Sequence, residues 1–372
     1  TGFLYPSQSY ILGGTTVTNG MVSSGSPNPN ITWETSETYN AGLDLDMWGR
    51  LFGVTADLFY RKRSGLLATR SLQLPSTYGD VLPAENLNSD QAKGFELVLN
   101  HSSHISKINY SVSANFNYTQ TRWNHVEQKI FTSDYDSWRN NLNGRNQNIY
   151  WGLNTLGQFQ SQSEINSSPI QDGKQNSTLR PGDLKYEDYN KDGVIDNDDR
   201  KIIGKGVTPE ITYGLSINLN WKRFSMIMNW QGAANYNILQ DTYLIEPFNN
   251  GMNAYAYFMD RWRLSDLKDP TSAWIPGKFP STINAGAVNN KQVASTWLQN
   301  STYFRLKSFA LNYTLDSKYL RKIGLEKVDI SLSGQNLLTF TGLEYIDPEA
   351  PSGRLSYYPQ QLTYNAGINV SF

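Results

Sequence analysis

The chain of 372 residues has a formal net charge of −1; 38% of its residues are hydrophobic and 13% are aromatic. This balance provides no basic surface for nucleic acid, and the absence of cysteine excludes disulfides and thiolate metal sites. No apolar run approaches twenty residues, which excludes a transmembrane helix, and no signal peptide is recognisable, so the chain is expected to be mature, truncated or not secreted. An aromatic-rich chain of low hydrophobicity suits a membrane β-barrel, and also a soluble carbohydrate-binding β protein.

Period-two alternation predicts about nine strands along the chain. In chain order they lie near residues 31–48, 51–63, 92–103, 107–121, 209–221, 223–236, 301–316, 326–340 and 361–372.

Three of these segments show two unlike faces. Even positions from Ile108 to Tyr118 are apolar and odd positions are Asn or Ser, and residues 211–221 alternate in the opposite phase. The last eleven residues do the same and end on the aromatic Phe372. Asn and Ser would need hydrogen-bond partners in a dry core, so they indicate a wet lumen opposite a lipid-facing side.

The connections between the predicted strands alternate in length. Short turns are expected at Gly49-Arg50, at 103–106, at Lys222 and across 317–325, and long loops cover about 1–30, 64–91, 122–208, 237–300 and 341–360. Outer-membrane barrels have short periplasmic turns and long external loops. The sequence therefore predicts an all-β, membrane-spanning antiparallel barrel with its long loops outside. An open set of nine strands would leave backbone groups unpaired in lipid, so we expect a larger barrel.

An acidic segment within the longest loop has the spacing of a calcium-binding loop. Glycine at position six, Gly193, allows a sharp turn between oxygen ligands at alternate positions. A solvated acidic turn is the alternative, because position twelve is Asp where Glu is usual and no flanking helix pair is evident. The expected Ca²⁺ ligands are Asp188, Asn190, Asp192, the carbonyl of Val194, Asp196 and Asp199.

Charged residues on the predicted polar faces could in principle act as paired catalytic carboxylates. A hydrated wall is the simpler interpretation of Asp44, Asp46, Asp57, Arg61 and Glu96. Because no catalytic motif occurs in a strand-to-helix context, we expect transport or binding and no enzymatic activity.

The aromatic residues of loop 237–300 allow two interpretations that the sequence does not separate. They could stack on sugars or a partner protein, or they could pack within the loop. The set comprises Tyr255, Tyr257, Phe258, Trp262, Trp274 and Phe279.

Six segments in order resemble the SusC/RagA-type TonB-dependent transporters of Bacteroidetes. They are residues 28–67, NSDQAKGFELVL, PGDLKYEDYNKDGVIDNDDRKIIG, STYFRLKSFALNYTL, SGQNLLTF and YIDPEA. The resemblance covers nearly the whole chain, and it identifies the predicted strands as the C-terminal part of the barrel.

The resemblance implies a 22-stranded outer-membrane barrel filled by an N-terminal plug. It also implies import of nutrients such as oligosaccharides or peptides, a SusD-like surface lipoprotein as lid, and energy supplied by TonB through the plug. The plug and the N-terminal strands are absent from this sequence, so the expected partners include the rest of the barrel, together with lipid and LPS of the membrane.

Two other functions remain open at this point. The barrel could be a scaffold or assembly component of an envelope protein complex, or the chain could be a soluble carbohydrate-binding β protein.

Overall fold

A computed structural model gives the fold of the chain. The structure describes residues 4–12, 16–23, 26–71, 75, 81–240, 242–248, 251, 253–282, 289–315, 320, 324–350, 358 and 360–372. The predicted turn at 317–325 lies mostly outside these residues, as do parts of the predicted loops 1–30, 64–91, 237–300 and 341–360.

Strands dominate the described part of the chain. In chain order they are β1 (Leu4–Leu12), β2 (Thr16–Ser23), β3 (Thr35–Met47), β4 (Phe52–Thr69), β5 (Ala84–Ile105), β6 (Ile108–His125), β7 (Ile149–Gly152), β8 (Thr155–Gln158), β9 (Leu184–Tyr186), β10 (Lys201–Lys205), β11 (Ile211–Trp221), β12 (Phe224–Ala234), β13 (Asn237–Leu239), β14 (Arg263–Leu264), β15 (Trp274–Ile275), β16 (Leu298–Asn300), β17 (Tyr303–Thr314), β18 (Lys327–Thr341) and β19 (Thr363–Ser371).

The helices are short. They are α1 (Asp134–Asn140), α2 (Gln162–Asn166) and α3 (Thr242–Ile245). Ser133 and Ser161 cap α1 and α2, because each side chain accepts a hydrogen bond from a backbone N–H of the first turn. None of the helices in the described residues has the length and apolar character needed to cross a membrane.

Within the described residues, nine strands form one antiparallel sheet in the order β19-β18-β17-β12-β11-β6-β5-β4-β3. These are the nine strands that the alternation predicts, which confirms an antiparallel all-β fold. Two of the predicted short turns have left-handed backbone at Lys222 (φ 53°) and at Trp48, Gly49 and Arg50 (φ 52°, 67° and 70°). Such turns match the twist of paired strands.

The structure differs from the predicted loop boundaries at several places, among them the end of β6, which extends to His125. Residues 1–30, expected to be a loop, contain the hairpin β1–β2. Strands β4 and β5 extend into the predicted loop 64–91, to Thr69 and from Ala84. Short strands β7–β10 and β13–β16 form two-stranded ladders inside the two longest loops. Propensity and alternation are weak over two to five residues, so these short elements give no clear sequence signal.

The chain divides into two compact units. Unit 1 comprises Thr1–Gly42, Asp57–Phe95 and Thr119–Gln147, and unit 2 comprises Leu43–Ala56, Glu96–Tyr118 and Asn148–Phe372. In unit 1, Asp90 is 5% exposed and is held by Arg63, whose Nε donates to Oδ1 over 2.9 Å, and by Gln147.

The register of β11 places like residues side by side. On one face Leu215 lies between Ala114 of β6 and Trp230 of β12; on the other face Ser216 lies between Ser113 and Asn229. The same separation continues along β17 to β19, where Ile330 pairs with Ile368 and Ser331 with Gly367. The sheet therefore has one apolar face and one polar face.

Aromatic side chains cluster at both ends of the apolar face. At one end Phe304 stacks on Trp230 with ring centroids 4.9 Å apart, and Tyr213 lies 5.7 Å from Phe304. At the other end Phe224 lies 5.8 Å from Trp221 and 4.5 Å from Tyr313. Aromatic girdles bordering an apolar band are characteristic of membrane barrels.

Strand β17 carries an irregularity at Lys307. Trp230 of β12 pairs with Leu306, whereas the preceding Asn229 pairs with Ser308, so Lys307 is an extra residue against β12. This is a β-bulge, in which one strand has two residues opposite one on its neighbour.

The bulge lies beside a buried network of charges. Arg305 is 3% exposed; its guanidinium donates to Asp347 over 2.9 Å and also pairs with Glu349. Lys307 Nζ contacts Glu349 at 2.9 Å, and the Tyr303 hydroxyl donates to the same carboxylate. The YIDPEA segment is thus fixed to the polar face of β17.

Replacing Arg305 by Met should destabilise this region by about 3–5 kcal/mol, because two half-buried carboxylates lose their shared cation. Hydrogen exchange of the amides of residues 341–350 measures the loss. Lys307→Met is the matched control: its side chain is 29% exposed, so its loss should cost at most about 1 kcal/mol. Equal effects of the two changes would contradict a dominant role of Arg305.

Candidate functional site

The polar face of the sheet is joined laterally by hydrogen bonds between neutral side chains. Asn229 Nδ2 donates to Ser308 Oγ over 2.9 Å, and Asn229 Oδ1 accepts from Ser216 Oγ over 2.9 Å. In a neighbouring row Asn218 Nδ2 donates to Ser111 Oγ over 3.3 Å. These rows satisfy part of the hydrogen-bonding capacity of each side chain and leave the remainder for water or a solute.

The charged residues predicted on the polar face lie on the sheet strands and not in one cluster. Asp44 accepts a hydrogen bond from Thr55 Oγ1 over 2.7 Å, and Glu96 accepts one from Asn117 Nδ2 over 2.8 Å. Asp46 lies 3.8 Å from Arg50 and is exposed. Asp57 and Arg61 belong to unit 1. In these contacts each acid of unit 2 has its own partner, as expected for a polar wall.

The acidic segment forms a tight series of turns. Asp188 accepts hydrogen bonds from the backbone N–H groups of Lys191 and Gly193, and Asp192 accepts one from Val194. Gly193 has φ 86°, a conformation that favours glycine. The turn that the spacing predicts at position six is therefore present.

Asp199 organises the segment from its far end. It is 1% exposed; one carboxylate oxygen accepts from the Tyr189 and Asn190 amides and the other from the Asp196 amide. Asp196 in turn accepts from the Asp198 amide, which completes a capping box around residues 196–199.

The donor types of the six predicted calcium ligands fit Ca²⁺, since all would offer oxygen. Their side chains, however, are not arranged around a common position for an ion. Across the described ranges, no three acidic or histidine side chains come together in a way that could hold a metal ion. The carboxylates are instead turned toward backbone N–H groups of their own loop.

The aromatic residues of loop 237–300 pack mainly inside the loops. Phe258, Trp262 and Phe279 are buried, and Tyr255 and Tyr257 are half-buried against the apolar cluster that contains Phe258 and Phe279. The structure thus favours packing within the loop for this set. The cluster also takes residues from the preceding long loop; its buried members are Leu153, Leu184, Tyr186, Ile195, Phe258, Phe279, Ala294 and Trp297.

The two long loops are also joined through their backbones. Leu153 N donates to Val293 O over 2.9 Å, and Ser295 N donates to Leu153 O over 3.0 Å. Gly152 permits this approach, because a Cβ there would lie 2.5 Å from the Val293 carbonyl oxygen. Residues 148–208 and 289–300 consequently form one folded body.

A second connection between the loops is a group of buried amides, which we call the asparagine clasp (Gln171, Asp183, Leu184, Asn289 and Asn290). Asn290 Nδ2 donates to Asp183 Oδ1 over 2.7 Å, and Asn290 Oδ1 accepts from the Leu184 amide over 2.9 Å. Gln171 Nε2 donates to Asn289 Oδ1 over 2.8 Å. Reasoning from the sequence did not identify the clasp, because its members are about 105 to 120 residues apart.

Asp183 is fully buried in the clasp. Burial raises the pKa of its carboxyl above the usual range, although hydrogen bonds from Asn290 and the Arg180 amide act in the opposite direction. Burial likewise raises the pKa of the Tyr186 hydroxyl, and the nearby Asp183 adds to this effect. The loops therefore contain an acid that is more easily protonated in the folded state.

Three comparisons with known proteins agree with this architecture. The family model described as TonB dependent receptor-like, beta-barrel, matches residues 1–131. TonB-dependent receptor P3 of Formosa agariphila is 28% identical over 388 aligned positions, which cover 98% of this chain and 36% of the relative. TonB-dependent receptor SusC of Bacteroides thetaiotaomicron is 23% identical, over 93% of this chain and 32% of the relative.

Among solved structures, the RagAB peptide transporter superposes with a TM-score of 0.68 at 20% sequence identity. That match covers 100% of this chain and 38% of the other, and it shows the fold. The chain spans about a third of the length of the curated relatives that it matches.

A sheet with one apolar face, one hydrogen-bonded polar face and aromatic ends defines the wall of an outer-membrane β-barrel. The sequence relatives and the solved structure confirm that the chain resembles part of the barrel of SusC/RagA-type TonB-dependent receptors, as its sequence segments indicate.

The buried Asp183 should make the loops more stable at acid pH. Its folded-state pKa lies above the unfolded value of about 3.8, so the folded state holds the proton more tightly. This contribution is fully present below about pH 4 and is lost as pH rises through the folded-state pKa. Hydrogen exchange of the loop amides between pH 4 and pH 8 should show this slope, and Asp183→Asn should remove it.

Asp172 provides a control, because its effect on stability should change with pH in the opposite direction to that of Asp183. Burial alone would raise the pKa of Asp172, but hydrogen bonds from Thr178, Lys174 and Asn176 lower it overall. Asp172→Asn should therefore remove a contribution that is present at neutral pH and lost on acidification. A pH slope that persists in Asp183→Asn would contradict the assignment.

Proposed function

We propose that the chain is part of an outer-membrane active transporter that imports nutrients, either oligosaccharides or peptides. A SusD-like lipoprotein would act as the lid, and TonB would supply energy through residues outside this sequence. The relatives described as TonB-dependent receptors, and the fold shared with a structure described as a peptide transporter, support this function. No bond-making role is proposed for any residue.

The observation that carries the proposal is the hydrogen-bonded polar face. Its central rows consist of Ser and Asn, which present donors and acceptors without a fixed charge. Such a wall exchanges hydrogen bonds with water and with neutral polar solutes at similar cost, so a solute can move along it without being trapped. This property suits a hydrated path for sugars or peptides.

The folded loops support the second part of the proposal. Loops 122–208 and 237–300 would lie outside the cell and face the lipoprotein and the substrate. Their shared apolar cluster and the asparagine clasp give residues 148–208 and 289–300 a fixed shape. A partner can dock on such a surface without first ordering it, which lowers the entropic cost of binding.

We further propose that Ca²⁺ binds the acidic segment and stiffens it. The support is the spacing of six oxygen donors, from Asp188 to Asp199, and the turn at Gly193. Binding would require the carboxylates to exchange backbone N–H partners for the ion.

The transport proposal can be tested by narrowing the polar wall. Ser216→Trp in the full-length protein should slow uptake of fluorescent peptides or oligosaccharides by roughly 3- to 10-fold, because the ring projects into the path. Ile217→Trp is the matched control, since the next residue lies on the apolar face and should leave uptake unchanged. Surface amounts of both variants are measured alongside uptake.

Equal uptake by the wild type and Ser216→Trp would show that this wall is not on the transport path. If the protein then co-purified with an envelope complex other than a lipoprotein lid, a scaffold role would be favoured.

The calcium proposal predicts that millimolar Ca²⁺ raises the midpoint of loop unfolding by roughly 2–4 °C relative to EDTA. Asp192→Asn should abolish this shift. Asp198→Asn, which changes an acid outside the proposed ligand set, should preserve it. A wild-type midpoint that is the same in Ca²⁺ and EDTA would exclude the site.

A further inference from the structure

A polar crevice opens at the end of the sheet where β11 begins and β12 ends. Its volume is about 620 Å³, within the range of small-molecule sites. Its walls combine aromatic rings from the apolar face with amides, hydroxyls and one pair of opposite charges. The polar lining side chains include Lys278, Gln299, Asn300, Thr302, Thr341 and Glu344.

An apolar groove lies beside the crevice on the apolar face. Its volume is about 640 Å³, and its walls are the side chains of Leu97, Leu99, Phe116 and Leu215, with Ala114 between them. Ala114 pairs with Leu215 across β6 and β11, so a short side chain stands where the neighbouring positions carry large ones. The groove is thus a depression in the lipid-facing wall.

Two aromatic residues, Tyr213 and Phe304, line both cavities. Their positions are fixed: the Tyr213 hydroxyl donates to the Tyr303 carbonyl oxygen over 2.9 Å, and Phe304 stacks on Trp230. The crevice and the groove are therefore neighbours that share the side chains of Tyr213 and Phe304 as a preformed border. Together they offer one polar and one apolar compartment, as an amphipathic ligand requires.

The charges of the crevice define what its polar compartment can bind. Lys278 and Glu344 form an ion pair of 2.7 Å, yet their side chains remain 54% and 50% exposed. Each charge therefore keeps a side that faces water. A ligand group bearing both signs can meet the pair without leaving either charge unmatched, whereas a purely anionic group would be repelled by Glu344.

We propose that the crevice and the groove together bind one membrane phospholipid whose headgroup carries a phosphate and an amine. The phosphate contacts Lys278, the ammonium contacts Glu344, and an acyl chain occupies the groove over Ala114. The side-chain amides of Gln299 and Asn300, which line the crevice, add donors for phosphate or ester oxygens. The occupant is a lipid because the groove continues the apolar face, which contacts hydrocarbon in a membrane barrel.

The test uses the full-length protein purified in mild detergent, with bound lipids counted by native mass spectrometry. Three lipids with the same oleoyl chains are compared: phosphatidylethanolamine, phosphatidylglycerol and monoglucosyl diacylglycerol. Phosphatidylethanolamine should bind most tightly, and water-soluble phosphoethanolamine, which lacks the chains, should bind at least about tenfold more weakly. Tightest binding of the glucosyl lipid, or equal binding of phosphoethanolamine, would overturn the proposal.

Variants address each compartment separately. Ala114→Phe fills the groove and should lower the affinity for phosphatidylethanolamine about tenfold. Ala366→Phe is the matched control, because Ala366 also lies on the apolar face and pairs with a leucine, Leu332, but lines neither cavity. Equal affinities of these two variants would overturn the proposal.

The double change Lys278→Gln and Glu344→Gln tests the headgroup. It should remove the preference for phosphatidylethanolamine over the glucosyl lipid while leaving the groove intact. Because both side chains are exposed, this variant retains the fold even if Ala114→Phe does not, and heat-dependent mobility on a denaturing gel checks that. A preference unchanged by the double substitution would overturn the assignment of the headgroup.

Discussion

The constraint on which this structure depends is that backbone N–H and C=O groups find no water in hydrocarbon. Each must be paired within the protein, and a closed antiparallel sheet achieves this. The pairing fixes the register between strands, and the register fixes which side chains are neighbours. Asn229 meets Ser216 and Ser308 only because backbone pairing places these three residues side by side on β12, β11 and β17. The polar wall is thus a consequence of backbone pairing.

The same constraint explains why the long strands could be predicted from the sequence. A residue in such a sheet faces either lipid or water, so the alternation is strong from Ile108 to Tyr118 and from Ile211 to Trp221. It fails in β17, where the bulge at Lys307 shifts the phase. A strict count of two from Tyr303 would place Phe309 on the polar face, although it pairs with Met228 on the apolar one. Alternation alone does not locate such a bulge.

The structure of the loops depends on contacts between distant residues as well as on local turns, so less of it could be predicted. The turn at Gly193 is encoded locally by the spacing of Asp, Asn and Gly, so it could be predicted from the sequence. The asparagine clasp depends on residues more than a hundred positions apart, and neither Asn289 nor Asn290 stands out in the sequence. Composition did not show whether the aromatic residues of loop 237–300 pack within the loop or face a ligand. The folded loops show it, because Phe258 and Phe279 are buried in the apolar cluster. The sequence thus allowed prediction of structure formed by neighbouring residues, but not of contacts between distant segments.

The bulge at Lys307 has a consequence for how this strand can change in length. In a regular strand, deletion of one residue moves every later side chain to the opposite face, which would turn apolar residues toward water. Deletion of Lys307, in contrast, would leave every later side chain of β17 on its present face. Arg305 and Ser308 already lie on the same face, so removing Lys307 would leave one residue, Leu306, between them and restore regular alternation. Position 307 is therefore a point in β17 where a one-residue difference in length between related chains is compatible with both faces of the barrel wall.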